Sequence, residues 1–269
     1  MAGAPIDGLP GWRRLDLASV GSTNNEALTL AEGGDAGHLW VTAGEQLGGR
    51  GRRGRDWASP PGNLYASALL IDLAPVARLA TLPLAVGVAV HDAIAACGLP
   101  GGTMLRIKWP NDLLLNDAKC CGMLLEARGL SNGRQAVVIG CGINIISHPD
   151  PGLYPATALN RAGIAATPET LFAHLSRAME EALTVWDGGR GIGAIRQRWL
   201  AAAHGLGARI AVNLASSRIE GIFEGIDADG VLMLRTDDGA LRMISAGDLF
   251  FGSAISGPQA PQGREPEHG

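Results

Sequence analysis

Apolar and polar positions divide the chain into strand-like and helix-like stretches before any motif is considered. The segment RRLDLASV alternates, which predicts a strand ending near Val20. The polar run Gly21-Ser22-Thr23-Asn24-Asn25 follows, with Ser22 or Thr23 placed to cap a helix over Asn25–Glu32. Strands are predicted at His38–Gly44 and at Asn63–Leu73, the latter alternating well enough for partial burial. Pro83 stands where a helix would begin, and the apolar LAVGVAVHDAIAACG then runs to a stop at Gly98 and Pro100. Short strands at Leu105–Trp109, Leu113–Leu115, Met123–Arg128 and Ala136–Asn144 are separated by Pro110-Asn111-Asp112, Asn116-Asp117 and Ser131-Asn132-Gly133, all turn-forming clusters. Thr167 and Pro168 open a helix reaching about Trp186, and another follows over Ile192–His204.

From Leu206 the character changes. ARIAVNL, RIEGIFEGID, GVLMLRTD and ALRMIS read as short strands between Asp/Gly turns, the pattern of a small closed or half-closed barrel. The expected organisation is a flexible lead-in at 1–14, a large domain at 15–205, a small barrel at 206–256 and a disordered tail at 257–269.

Composition narrows the class. With 269 residues, 46% hydrophobic and 18% charged, the chain is long enough for a sizeable core and is neither disordered nor fibrous. The 39 glycines follow no three-residue period, so they mark turns and close backbone approaches. A net charge of −4 argues against a surface that wraps nucleic acid. The N-terminus carries no basic run followed by an apolar core, so export is not expected and a cytoplasmic location is. Leu79–Cys97 is interrupted by Pro83, His91 and Asp92, which favours a buried helix over a membrane span. Cys97, Cys120, Cys121 and Cys141 form no CxxC pair and lack histidines at metal-site spacing, so they read as reduced, mostly buried thiols.

Against this acidic background, Gly48-Gly49-Arg50-Gly51-Arg52-Arg53-Gly54-Arg55 concentrates positive charge. Guanidinium forks fit phosphate or carboxylate oxygens, and the glycines expose backbone N–H donors. An arginine/glycine tract for RNA and a solvated basic loop are the competing readings, but the run occurs once, between two strand-like segments. Neither GxxxxGK[ST] nor GxGxxG is present, so a nucleotide-phosphate or acyl-phosphate site here is of another type. Gln46 precedes the loop and Trp57 follows it, the first an amide donor and acceptor, the second either core or a face for base stacking. Asn111 and Asp112 end a strand and either hold a turn or serve the site. Lys119, at the mouth of an apolar strand, is placed to meet a developing negative charge. Gly140-Cys141-Gly142-Ile143-Asn144 permits close backbone approach, for packing or for a ligand.

Taken in order, Ser22-Thr23-Asn24, Gln46 with GRGRRGR at 49–55 and Trp57, SPxGNLYxS at 59–67, KWPNDLLLNDAKCCGMLLE at 108–126 and GxGIN at 140–144 resemble a biotin–protein ligase of the single-function type. The resemblance implies an α/β (α+β) fold, a mixed sheet flanked by helices in a class II synthetase-like catalytic domain at 15–205, with an SH3-like C-terminal barrel. It implies that biotin is activated with ATP and magnesium as biotinyl-5′-AMP, with release of pyrophosphate. Biotin then passes to a lysine of a biotin carboxyl carrier protein or domain of a biotin-dependent carboxylase. Biotin contacts carried over are Ser22, Thr23, Asn24, Gln46, Gly49, Arg50, Arg52, Lys119, Gly122 and Gly142; ATP contacts are Arg52, Arg55, Trp57, Asn111, Lys119 and Asn144. Arg52, Lys119 and Asp112 are the expected catalytic residues, Asp112 also lying near magnesium. Leu47-Gly48 departs from the small polar and small residues usual there. Only 21 residues precede Ser22, too few for a winged-helix domain, so neither DNA binding nor repression is expected, nor membrane association; a monomer and a homodimer both remain open. A ligase or transferase for lipoate or another small carboxylic acid is the nearest rival, and a nucleic-acid-binding module using the arginine loop the rival from another class.

Overall fold

A computed structural model describes residues 3–148, 155–214, 217–245 and 247–251. The chain divides into two units: one runs to His204 and includes Ile226–Gly230, and the other comprises the remaining C-terminal residues. The predicted tail at 257–269 lies outside the described residues.

The first unit contains β1 (Ala4–Ile6), β2 (Leu9–Val20), α1 (Thr23–Glu32), β3 (Leu39–Gln46), β4 (Leu64–Ile71), α2 (Leu82–Ala95), β5 (Leu105–Lys108), β6 (Asp112–Leu115), β7 (Ala118–Gly129), β8 (Gln135–Ile143), α3 (Pro168–Trp186) and α4 (Ile192–Ala201). Its strands form one sheet in the order β1-β2-β3-β4-β8-β7-β6-β5. β2 and β3 are parallel, as their crossover through α1 requires, and the other pairs are antiparallel. This is the mixed sheet flanked by helices that the sequence resemblance implied.

Cross-strand partners share a face, so the register assigns side chains to the two sides of the sheet. Leu39, Val41, Leu69 and Val138 meet Ala27, Leu28 and Ala31 of α1. On the opposite face Trp40 takes the edge of Phe172 from α3, with ring centroids 5.6 Å apart. α2 is buried at ten of its fourteen residues among the sheet, α3 and α4. With the turn before it, Val76–Ala95 is the one described helix long and apolar enough to cross a membrane, and most of it lies inside the protein. Thr167 caps α3 with a reciprocal box: it accepts from Thr170 N–H while Thr170 Oγ1 accepts from Thr167 N–H. Such a cap is worth about 1 kcal/mol.

Three expectations are corrected. Residues 4–14 are not a loose lead-in, because β1 and the first half of β2 form a hairpin through a turn in which Gly8 takes φ 74°. Trp12 secures that hairpin: it is 2% exposed, lies against His38 and Trp40, and donates from Nε1 to Glu180 Oε2 at 2.7 Å. β4 is buried at all eight positions rather than on alternate ones, since helices cover both faces of the central strands. Ser22 stands at the N-cap of α1 in extended backbone but makes no side-chain cap, and the helix starts at Thr23.

The second unit holds β9 (Arg209–Asn213), β10 (Arg218–Ile226), β11 (Leu232–Arg235), β12 (Leu241–Ile244) and β13 (Asp248–Phe251), ordered β12-β11-β10-β9-β13. The fifth strand, at Asp248–Phe251, follows the four predicted ones.

Candidate active site

Beyond the apolar contacts of α1, the same sheet face continues as glycine. Gly122 pairs with Gly142, Leu124 with Gly140 and Ser67 with Gly140, so the three glycines and Ser67 share one side of β4, β8 and β7. A Cβ at Gly142 would collide with the Trp57 indole nitrogen, and one at Gly140 with the Asn24 carboxamide oxygen. A Cβ at Gly122 would sit 3.0 Å from the Trp57 ring and 3.3 Å from Lys119 Nζ. The glycines therefore form a floor over which Trp57, Asn24 and Lys119 lie. Trp57 Nε1 is buried there without a hydrogen-bond acceptor.

A polar recess adjoins the floor. Gln46 Oε1, at the end of β3, accepts from Thr23 N–H at 2.9 Å and Thr23 Oγ1 at 3.1 Å, while its Nε2 donates to Ser59 Oγ at 2.9 Å. Ser67 Oγ lies 2.7 Å from Thr23 Oγ1 and 2.6 Å from Asn24 Oδ1. Asn24 Nδ2 donates to Glu126 Oε2 at 2.7 Å. Ser22, Thr23, Asn24 and Ser67 are all buried, so this cluster of donors and acceptors is specific to its fold geometry and costly to leave unpaired.

The arginine loop is folded back on itself. Gly51 N–H donates to Arg55 O at 2.7 Å, Trp57 N–H to Gly49 O at 2.9 Å, and Gln46 N–H to Ser59 O at 3.1 Å. Gly49 admits no side chain, because a Cβ there would run into the Trp57 carbonyl. Arg50 reaches Glu126 at 2.9 Å and Asn25 Oδ1 at 2.6 Å. Arg52 donates to Asn111 Oδ1 at 2.9 Å, and Asn111 Nδ2 donates in turn to Met123 O at 2.8 Å.

Lys119 owes its position to a bulge. Leu114 pairs with Lys119 and Leu113 with Cys121, leaving Cys120 as the extra residue of β7. Lys119 Nζ sits 2.7 Å from Asp112 Oδ1 and 5.3 Å from the centre of the Trp57 ring. Asn111 and Asp112, adjacent in the chain, thus each hold one cation, and the Lys119 ammonium lies against the floor at Gly122.

Thr23, Asn24, Gln46, Gly49, Arg50, Arg52, Trp57, Asn111, Asp112, Lys119, Gly122 and Gly142 are gathered here, with Ser22 buried at their edge. Arg55 and Asn144 complete the expected set. Arg55 is an exposed residue of the loop. Asn144, 1% exposed, is drawn into the segment after β8: its Nδ2 donates to Thr157 O at 3.0 Å and its carbonyl accepts from Leu159 N–H. The reading of the sequence missed Ser67 and Glu126 as participants. Both stand inside the quoted motifs, but only sheet register shows that they face Asn24. Burial drives the thiols of Cys120 and Cys141 up to about 12 and Cys121 well above its ordinary value, which keeps all three neutral. No group of three or more His, Cys, Asp or Glu among the described residues is arranged to hold a metal ion.

Residues 20–144 match the model of the biotin/lipoate A/B protein ligase family, and residues 205–252 that of the biotin protein ligase C-terminal domain. The chain is 40% identical over 243 residues to the biotin–[acetyl-CoA-carboxylase] ligase of Paracoccus denitrificans, covering 88% of this chain and 99% of that protein. It is 32% identical to the bifunctional ligase/repressor BirA of Escherichia coli, covering 88% of this chain and 74% of that one. Among solved structures, the biotin protein ligase of Aquifex aeolicus in complex with biotin and ATP superposes with a TM-score of 0.74 at 26% identity, covering 88% of this chain and 97% of that one. The Leishmania major biotin protein ligase in complex with biotinyl-5-AMP gives 0.63 at 26% identity, with 88% and 100% covered.

Proposed function

Because the chain belongs to the biotin protein ligase family, we propose that the glycine floor, the arginine loop and the Lys119–Asp112 pair are the machinery with which it activates biotin. The enzyme is an ATP-dependent ligase: it forms biotinyl-5′-AMP and transfers biotin to its carrier protein. The observation that carries the residue assignment is that Lys119, lying against the floor at Gly122, and Arg52 are each held by one residue of the adjacent pair Asn111-Asp112.

In the first step a biotin carboxylate oxygen attacks the α-phosphorus of ATP, a carboxyl–phosphate bond forms, and pyrophosphate leaves with the electrons of the broken P–O bond. No side-chain nucleophile is needed, so the protein's task is to neutralise charge and exclude water. Lys119 and Arg52 meet the carboxylate and the transferring phosphoryl group. The loop from Gly49 to Arg55 covers the anhydride, and Trp57 offers its ring to adenine. In the second step the acceptor lysine attacks the mixed anhydride, loses a proton and releases AMP. Asp112 pairs with Lys119 in the resting site; when Lys119 turns to the phosphate, Asp112 is released to orient the incoming amine and take its proton. Ser22, Thr23, Asn24 and Gln46 hold the ureido ring, Gly122 and Gly142 make room for the bicycle, and Arg55, Asn111 and Asn144 serve ATP.

Magnesium would be held mainly by waters and substrate phosphates, with Asp112, paired with Lys119 here, as the carboxylate of this turn that could offer it an oxygen. When bound it supplies charge neutralisation to the phosphates. The carrier is the acceptor domain of a biotin-dependent carboxylase, and the free, mostly buried thiols accord with a cytoplasmic enzyme.

The recess of Thr23, Gln46, Ser67 and Asn24 favours biotin over lipoate, since a ureido group can exchange hydrogen bonds with these donors and acceptors and a dithiolane cannot. The test is ATP–pyrophosphate exchange with biotin, lipoate and octanoate offered separately. Exchange with biotin alone is expected; equal exchange with lipoate would move the substrate to the rival acid.

A further inference from the structure

Glu126 takes no part in the chemistry above, yet it closes a circuit of hydrogen bonds around the site. Starting at one end of the arginine loop, Gln46 Oε1 accepts from Thr23, whose hydroxyl lies 2.7 Å from Ser67 Oγ, which in turn lies 2.6 Å from Asn24 Oδ1. Asn24 Nδ2 donates to Glu126 at 2.7 Å, and Glu126 receives Arg50 Nη2 with both oxygens, at 2.9 and 3.1 Å. Arg50 lies four residues beyond Gln46, so the circuit leaves the end of β3 just before the loop and returns at the loop's first arginine. It crosses α1, β4 and β7 on the way, and Glu126 and Arg50 are its only charged members.

We propose that Glu126 is a positioning residue for the ligase reaction: its carboxylate latches the arginine loop to β7 through Arg50 and fixes the Asn24 carboxamide over Gly140. A glutamate suits both tasks, because an ionised carboxylate offers two oxygens and about four acceptor positions, enough for an amide and a guanidinium together. A glutamine keeps one acceptor oxygen but loses the charge that draws the guanidinium, and it sets an NH₂ against Arg50 where Oε1 accepted. The Arg50 side chain is 40% exposed and Glu126 25%, so the latch is weak enough to open when substrate enters. The third contact, Arg50 to Asn25 Oδ1 at 2.6 Å, ties the same guanidinium to α1.

The latch itself does not depend on which acid is activated; its effect on catalysis rests on the biotin reading. Hydrogen exchange of the ligand-free full chain tests the latch without any substrate. Glu126→Gln is expected to speed exchange of the amides at 47–58 by about fivefold, the most an exposed ion pair usually supports, while peptides of α3 exchange at the wild-type rate. Arg50→Gln, at a more exposed position, should do the same. The double variant should exchange no faster than either single one, because both remove one contact. In single-turnover chases, both variants should release preformed biotinyl-5′-AMP faster by a similar factor. Wild-type exchange of the loop in Glu126→Gln, or multiplying effects in the double variant, overturns the latch. If the wild-type enzyme shows no biotin-dependent pyrophosphate exchange while the loop results hold, the latch stands and the substrate assignment falls.

Discussion

Replacing Lys119 with methionine keeps the stem against Trp57 and removes the charge from a site where charge neutralisation is the proposed work. The loss of one such donor typically lowers the rate by about 10²–10³, or about 3–4 kcal/mol of transition-state stabilisation. The same change strands Asp112, whose side chain is 13% exposed and whose cationic partner stood at 2.7 Å. That second effect costs about 1–3 kcal/mol of stability. Against a folding free energy on the order of 5–15 kcal/mol, even the larger cost leaves nearly all molecules folded, so unfolding does not account for a hundredfold loss. Biotin-dependent ATP–pyrophosphate exchange, measured at saturating ATP beside a thermal melt, separates the two. Exchange within twofold of wild type for Lys119→Met would falsify the role. So would full recovery in Asp112→Asn/Lys119→Met, because the lysine would then be needed only to quench its neighbour's charge.

Gly140→Ala should push Asn24 from its seat and lower stability by about 2 kcal/mol, through loss of its buried contacts with Ser67 and Glu126; chemical denaturation reads this directly, and an unchanged midpoint contradicts the close packing. A thiol reagent at pH 8 should titrate only Cys97 in the native enzyme and all four cysteines in denaturant, since Cys120, Cys121 and Cys141 are buried. Burial lowers the pKa of His204 below 6.5, with Asp117 only partly offsetting it. The unfolded chain therefore binds this proton more readily, so its contribution to stability is intact above about pH 6.5 and is lost as pH falls toward the lower folded value. His204→Asn should flatten the fall in urea midpoint between about pH 7 and 5.

Elements with strong local punctuation were legible from the sequence. The Thr167-Pro168 start of α3, the Pro83 opening of α2 and the Asn/Asp turns between β5, β6 and β7 announce themselves because capping and turn chemistry are local. The β1–β2 hairpin was not legible. Its glycines and prolines resemble a linker until Trp12 is seen packed on Trp40, a contact 28 positions away in the chain. The loop and Lys119 could be singled out by charge against an acidic background, but Ser67 and Glu126 could not. Their relevance depends on β4, β8 and β7 lying side by side in a fixed register, which no periodicity within one strand reveals.

That same dependence on register gives the extra residue of β7 a weight its identity does not suggest. In an unbroken strand Lys119 would share a face with Cys121, whose side chain is packed in the interior; with one residue added, it shares a face with Gly122. The charge reaches the glycine floor by register alone. Exchanging Cys120 for another small apolar residue should leave the lysine where it is, whereas inserting one residue between Leu113 and Leu114 of β6 would give Cys120 a partner, restore strict alternation in β7 and turn the ammonium group toward the core. The bulge matters through its one-residue mismatch between β6 and β7, not through the side chain that fills it.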